Sequence, residues 1–170
     1  MINITDVERR VLINQARILA ALYPLESRQF ERTIEILSEG YHAAWEDVVF
    51  KGLKLPFLKE DMNFIYQTLD MYDWLQKSYY ALTLDEKVHL PERSLIFCGF
   101  CPTQEPRHYS YCRFLLENMD RFAFVETTER LLAEQPMLEV YERMLNRLPR
   151  DGRSTLSAKS LRMVITELPE

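Results

Sequence analysis

The chain has 170 residues, 47% of them apolar and 28% charged, and its 26 acidic and 21 basic residues leave a net charge of −5. That length and apolar share suffice for one packed domain that needs no disulfide or metal, and they exclude a disordered chain. The four glycines, Gly40, Gly52, Gly99 and Gly152, lie too far apart for a phosphate-cradling loop, a dinucleotide fingerprint or a Gly-x-Ser-x-Gly hydrolase elbow.

The first element is predicted from Thr5 and Glu8, which are spaced as a capping box, each side chain satisfying a backbone N–H of the first turn. Val7, Val11, Ile18 and Leu22 follow at helical spacing as the expected apolar stripe, with Asn14 set in it, and Pro24 ends the helix. A second helix is expected over residues 25–38, with Phe30, Ile34 and Leu37 on one face and Gly40 as its stop. Residues 41–50 suggest a short helix closed by Gly52.

The clearest element runs from Leu58 through Met62, Ile65, Leu69, Tyr72, Leu75 and Tyr79 to Leu82, an amphipathic helix of some 25 residues expected to anchor the core. The rhythm then breaks near residues 84–102. Within that stretch Ser94-Leu-Ile-Phe-Cys-Gly-Phe100 reads as a short extended segment or a buried connection. Helix is expected again from Thr103 to about Asn118, and residues 121–133 are ambiguous at first and helical by Leu131. Pro136 suits a first helical position. Met137, Val140, Tyr141, Met144, Leu145 and Leu148 form a second clear stripe ending at Pro149, with Glu139 and Arg143 as a flanking i,i+4 pair. Asp151-Gly152 reads as a turn, and Ser157 caps a last helix carrying Leu161, Val164 and Ile165. The predicted fold is a single all-α domain over residues 1–170, with six to eight helices and one irregular apolar connection.

Charge is segregated. Residues 143–162 hold Arg143, Arg147, Arg150, Arg153, Lys159 and Arg162 against Asp151 alone, a local +5 that leaves −10 on the remainder. Net charge disfavours nucleic acid, so a phosphate backbone would have to meet this segment; a solvated face or a subunit contact is the plainer reading. The amino terminus lacks a basic region followed by an apolar stretch, and the apolar run at 18–25 is far short of the ~20 residues that span a bilayer. With three cysteines, an odd number, the expectation is a cytoplasmic chain with reduced thiols and no membrane contact.

Each histidine follows a glutamate by three residues: Glu39 and His42, Glu86 and His89, Glu105 and His108. On mid-helix faces such pairs build di-iron sites, but Gly40, Pro91 and Pro106 interrupt these three. Cys98, Cys101, His108 and Cys112 have zinc-compatible chemistry, yet no second Cys-x-x-Cys knuckle completes the pattern. No metal and no cofactor are predicted. More telling are polar residues on apolar stripes, Asn14 between Val11 and Ile18 and Arg107 ahead of Tyr111, because a buried amide or guanidinium must find partners.

Several segments together resemble the YfbU-like family: Leu12, Asn14, Gln15, Leu22 and Pro24; Gly40-Tyr41; Asp70-Met71-Tyr72 with Leu75; Phe97, Gly99 and Phe100. Glu105, Arg107, Tyr111, Arg113, Phe114 and Arg121 continue the likeness. Pro136-Met137, Tyr141, Arg143 to Asn146 and Leu156-Ser157-Ala158 complete it. The resemblance implies an all-helical, self-associating bacterial protein of the cytoplasm, with no established reaction; some relatives carry a helix-turn-helix domain, for which 170 residues leave no room.

The leading expectation is thus a non-catalytic, homo-oligomeric binding or regulatory module. Asn14, Gln15, Glu105, Arg107, Tyr111, Arg121, Tyr141 and Arg143 are the candidate ligand or partner contacts. One alternative is a small-molecule hydrolase or transferase with an inter-helix cleft lined by Arg, Tyr and Glu from that set. A second is a nucleic-acid-associated regulator working through Arg147, Arg150, Arg153, Lys159 and Arg162.

Overall fold

A computed structural model describes residues 4–119, 122–149 and 154–168. Seven α-helices appear among them: α1 (Asp6–Leu22), α2 (Ser27–Glu39), α3 (Lys59–Tyr80), α4 (Leu84–Lys87), α5 (Pro106–Asn118), α6 (Leu138–Arg147) and α7 (Ala158–Ile165). The described residues contain no strand, only two isolated parallel bridges, Phe97 with Thr127 and Phe100 with Leu132. The all-α, multihelical class therefore holds. The chain divides into two compact units, Met1–Pro56 and Phe57–Glu170.

In the amino-terminal unit α1 starts as its sequence requires. Thr5 Oγ1 accepts from the Glu8 amide, and the Glu8 carboxylate accepts from the Thr5 amide at 2.7 Å, which holds the Glu8 carboxyl below the usual carboxylate range. α1 packs on α2 through Ile13 and Ala16 beside Ile36 and Leu37. Gly40 closes α2 at φ 73°, and the next amide, of Tyr41, reaches back to the Ile36 carbonyl at 3.0 Å; that backbone suits glycine. The expected short helix is instead a 3₁₀ turn, His42–Ala44, followed by a π-helical turn, Trp45–Val49. Trp45 completes this small core, its indole N–H buried without a partner among the described residues.

α3 anchors the carboxy-terminal unit. Ile65, Leu69, Tyr72 and Leu75 are fully buried, as the spacing predicts, whereas Leu58 lies just before the helix and is exposed. Two polar residues of α3 tether irregular chain. The Gln76 amide donates to the carbonyls of Leu95 (2.8 Å) and Glu126 (2.9 Å) and accepts from the Glu126 amide at 2.8 Å. Ser78 Oγ accepts from the Leu156 amide at 2.9 Å. These bonds supply buried non-helical backbone with the partners it must have.

The Ser94–Phe100 run is a buried connection with isolated bridges rather than a strand. Within residues 83–102, Thr83 and Glu86 form a second capping box for the one-turn α4, a signal the sequence contains but the prediction passes over. The expectation of helix by Leu131 is wrong: residues 122–137 are turns and bridges, and Leu131 itself sits at φ 52°. Pro136 is likewise not a first helical residue, since α6 begins at Leu138 after Met137. The α6 stripe is as predicted, with Tyr141 and Met144 fully buried. Ser157 caps α7, accepting from the Ser160 amide at 3.2 Å. Asp151-Gly152 lies outside the described residues.

Candidate functional site

The predicted contact residues fall in both units. Glu105, Arg107 and Tyr111 follow one another on α5 and just before it, Tyr141 and Arg143 lie on α6, and Asn14 and Gln15 lie on α1 in the other unit. Arg121 is outside the described residues.

Glu105 is the most buried of the described charged candidates, at 4% exposure. One carboxylate oxygen accepts from the amides of Met137 and Leu138, both at 2.7 Å, and the other from the Cys101 amide at 2.9 Å. A carboxylate at the start of α6 meets unpaired N–H groups and the positive end of the helix dipole together. This arrangement ties the irregular segment 97–105 to α6, and it accounts for the residue without any ligand.

Arg107 is exposed, contrary to the expectation of a buried guanidinium, and lies over the Phe57 ring at 5.0 Å. One turn on, the Tyr111 hydroxyl is 2.7 Å from that of Tyr66. His108 packs against Phe57 and Phe100 with Asp61 3.8 Å away. Burial lowers its pKa, the Asp61 charge opposing only in part. Tyr141 is a core residue, its hydroxyl donating to the Gly99 carbonyl at 2.8 Å with Cys98 Sγ 3.3 Å away.

The thiols are dispersed over these contacts. Cys112 is buried among apolar groups, which pushes its pKa up to about 12, and burial also raises that of Cys98. Cys101 Sγ is 3.2 Å from Thr103 Oγ1. No three His, Cys, Asp or Glu side chains converge as metal ligands among the described residues.

The basic segment is partly neutralised by a carboxylate just beyond it. Arg143 and Arg147 both bind the Glu167 carboxylate, Arg143 Nε at 2.7 Å. Arg143 therefore bonds α7's trailing residue rather than Glu139, the partner its spacing suggests. Arg162 donates to the His89 carbonyl at 3.3 Å, and Lys159 is exposed. Arg150 and Arg153 lie outside the described residues.

α1 departs most from expectation. The predicted stripe is not the buried one: Val7 is 74% exposed, Val11 48%, Ile18 59% and Leu22 66%. Asn14 and Gln15 are exposed as well. α1 carries two apolar faces, and Ile13 with Ala16 takes the core. On the outward face Val7, Val11, Asn14, Ile18 and Ala21 follow one another by 4, 3, 4 and 3 residues, all exposed.

A family model described as the YfbU domain matches residues 2–166. The chain belongs to the YfbU family. A relative from Actinobacillus succinogenes, named UPF0304 protein, is 28% identical over 145 residues, covering 84% of this chain and 85% of its own length. The YfbU match spans both units, so α1 and the Glu105 junction are parts of one family pattern. Within it Gly99 has a steric reason: at φ 87°, a Cβ there would stand 2.0 Å from the Leu131 carbonyl oxygen. No helix among the described residues is long and apolar enough to cross a membrane.

Residues that sequence reasoning missed are Gln76 and Ser78, which read as polar positions on an amphipathic helix, and Tyr72, read as simple core. Tyr72 is fully buried, with the Tyr141 ring edge-on to it at 5.7 Å.

Proposed function

We propose that this YfbU-family chain is a non-catalytic, self-associating helical module that acts in the cytoplasm in a binding or regulatory role. The observation that carries the reading is the outward face of α1. Four steps of 4, 3, 4 and 3 residues give the 3.5-residue period of a helix seam that meets another helix along its length. Three of its five positions are β-branched or long aliphatic side chains more than 45% exposed, and the fourth, Asn14, carries an amide that calls for a polar partner.

A second copy of the chain supplies that partner most simply. About a two-fold axis the same patch faces itself, so Asn14 meets Asn14 of the second copy, and one amide in an apolar seam fixes the register at some cost in affinity. The flanks favour a parallel pair. Arg10 and Arg17 border one side of the seam and Glu8 and Gln15 the other, so antiparallel packing would set arginine flank against arginine flank, while parallel packing sets Arg10 near Gln15 of the second copy.

The reading is tested by Val11→Asp and Ile18→Asp in one chain. Both residues are exposed, so the far-UV circular dichroism and the unfolding midpoint should stay put while the sedimentation coefficient falls to that of the monomer. An unchanged oligomer in the folded double variant would overturn it.

A further inference from the structure

Residues 51–56 join the two units and belong to the core of neither. The amino-terminal core closes with Val48, Val49 and Phe50, and Phe57 is the first residue packed on the carboxy-terminal core. All six residues between them are exposed, and from Leu53 to Leu58 the chain forms no helix, turn or bridge. Both ends of this joint are fixed. The Phe50 amide donates to the Trp45 carbonyl at 2.9 Å, and the Leu53 amide to the Phe50 carbonyl at 3.0 Å. At the other end the Phe57 ring lies 5.2 Å from His108 and 5.5 Å from Tyr111, with Arg107 over it. Between these anchors the Lys54 amide and carbonyl enter no backbone hydrogen bond among the described residues.

An endoprotease takes its substrate as extended chain, through main-chain hydrogen bonds and a row of side-chain pockets, so it cuts where backbone is exposed, unbonded and irregular. Lys54 stands in such chain with a leucine on either side, Leu53 at 71% exposure and Leu55 at 80%. Neither leucine packs on a core, and a solvated spacer has no need of them; they offer apolar side chains to the pockets that flank the one holding the lysine. Other basic residues are less available. Arg9, Arg10, Arg17, Arg28 and Arg32 lie within α1 and α2, and Lys59 and Lys77 within α3, where a cut requires the helix to open first. Arg130 precedes Leu131, whose backbone is packed tightly against Gly99. Lys51 lies in a turn, followed by Gly52 at φ 87°.

We infer that the Lys54–Leu55 bond is a processing site for an endoprotease of the trypsin type, whose primary pocket holds a carboxylate that pairs with the lysine ammonium. Water adds across the peptide bond, its hydroxyl going to the Lys54 carbonyl carbon and its proton to the Leu55 nitrogen, and leaves chains of residues 1–54 and 55–170. The cut falls between the two hydrophobic cores and enters neither. This joint is distinct from the α1 face, so either proposal can fail without the other.

The test is limited proteolysis of the full chain with a trace of trypsin, followed over time by intact mass spectrometry. The first products should be the pair 1–54 and 55–170. Lys54→Gln should abolish that pair at an unchanged melting temperature, because the side chain is exposed, and Lys54→Arg should restore it. The chain cut at Lys54 should keep the near-ultraviolet circular dichroism of the intact one, with Trp45 reporting the amino-terminal core and Trp74 the carboxy-terminal one. A first cut at any other bond would overturn the proposal. Loss of the near-ultraviolet signal on cleavage at Lys54 would overturn it equally, since the joint would then be holding a core together.

Discussion

Removing the Glu105 carboxylate is the most informative perturbation of the fold, because three backbone amides depend on it, one nearby at Cys101 and two distant in sequence at Met137 and Leu138. Glu105→Ala strands three buried donors, each costing about 1–3 kcal/mol when left unpaired. Local repacking recovers part of that, so the expected loss is about 3–6 kcal/mol, against a total stability of about 5–15 kcal/mol for a domain. Glu105→Gln keeps one oxygen and turns an NH₂ towards an N–H, so it should lose about 2 kcal/mol, the range of one charged hydrogen bond. Urea unfolding reads this directly. With a slope of about 2 kcal/mol per molar, the alanine variant should shift the midpoint by roughly 1.5–3 M and the glutamine variant by about 1 M. The two tryptophans make the assay local, since Trp45 lies in the amino-terminal unit and Trp74 in the carboxy-terminal unit. A Trp45→Phe background leaves Trp74 to report the affected unit. A midpoint shift under about 0.3 M for Glu105→Ala would refute the reasoning, because it would mean the three amides find other partners at little cost.

Gly99→Ala should abolish soluble folded protein, since its Cβ would meet the backbone of Leu131 at 2.0–2.9 Å and backbone cannot swing aside as a side chain does; a native-like melting curve would contradict this. Gln76→Ala removes three bonds to Leu95 and Glu126 and should cost about 2–4 kcal/mol, measured by the same urea midpoints. His108 titrates below its ordinary value because burial disfavours its charged form. A histidine lowered on folding adds stability above its unfolded pKa of about 6.5, and that part is lost as pH falls from there through the folded value. The urea midpoint should therefore drop over that interval, and His108→Gln should remove that part of the pH dependence.

Those elements whose sequence offers a single apolar face were legible. α3, α6 and α7 have one such stripe each, and it is the buried one. The capping residues Thr5 and Ser157 were legible for a similar reason, as each acts within three residues of itself. α1 misled because it carries two apolar faces, and period alone does not say which of them meets α2. Residues 122–137 misled because what organises them lies far off in sequence: the Gln76 amide, the bridges to Phe97 and Phe100, and the close fit of Gly99 to Leu131.

Candidate contacts were less legible than helices. Glu105 and Tyr141 were singled out as ligand contacts and turn out to hold the fold together, through donors and acceptors 32 to 42 residues away. Arg143 reads as a contact from its guanidinium and its place in the resembling segment, and in the structure it shares the Glu167 carboxylate with Arg147.

Self-association through α1 is the central claim, and sedimentation velocity on the untagged chain tests it most directly, across about 0.1–50 µM so that mass action would show. Self-association predicts a species of twice the 20.3 kDa chain mass, or a higher multiple, at the upper concentrations, with dissociation on dilution if the seam is weak. A single 20.3 kDa species throughout that range would contradict it.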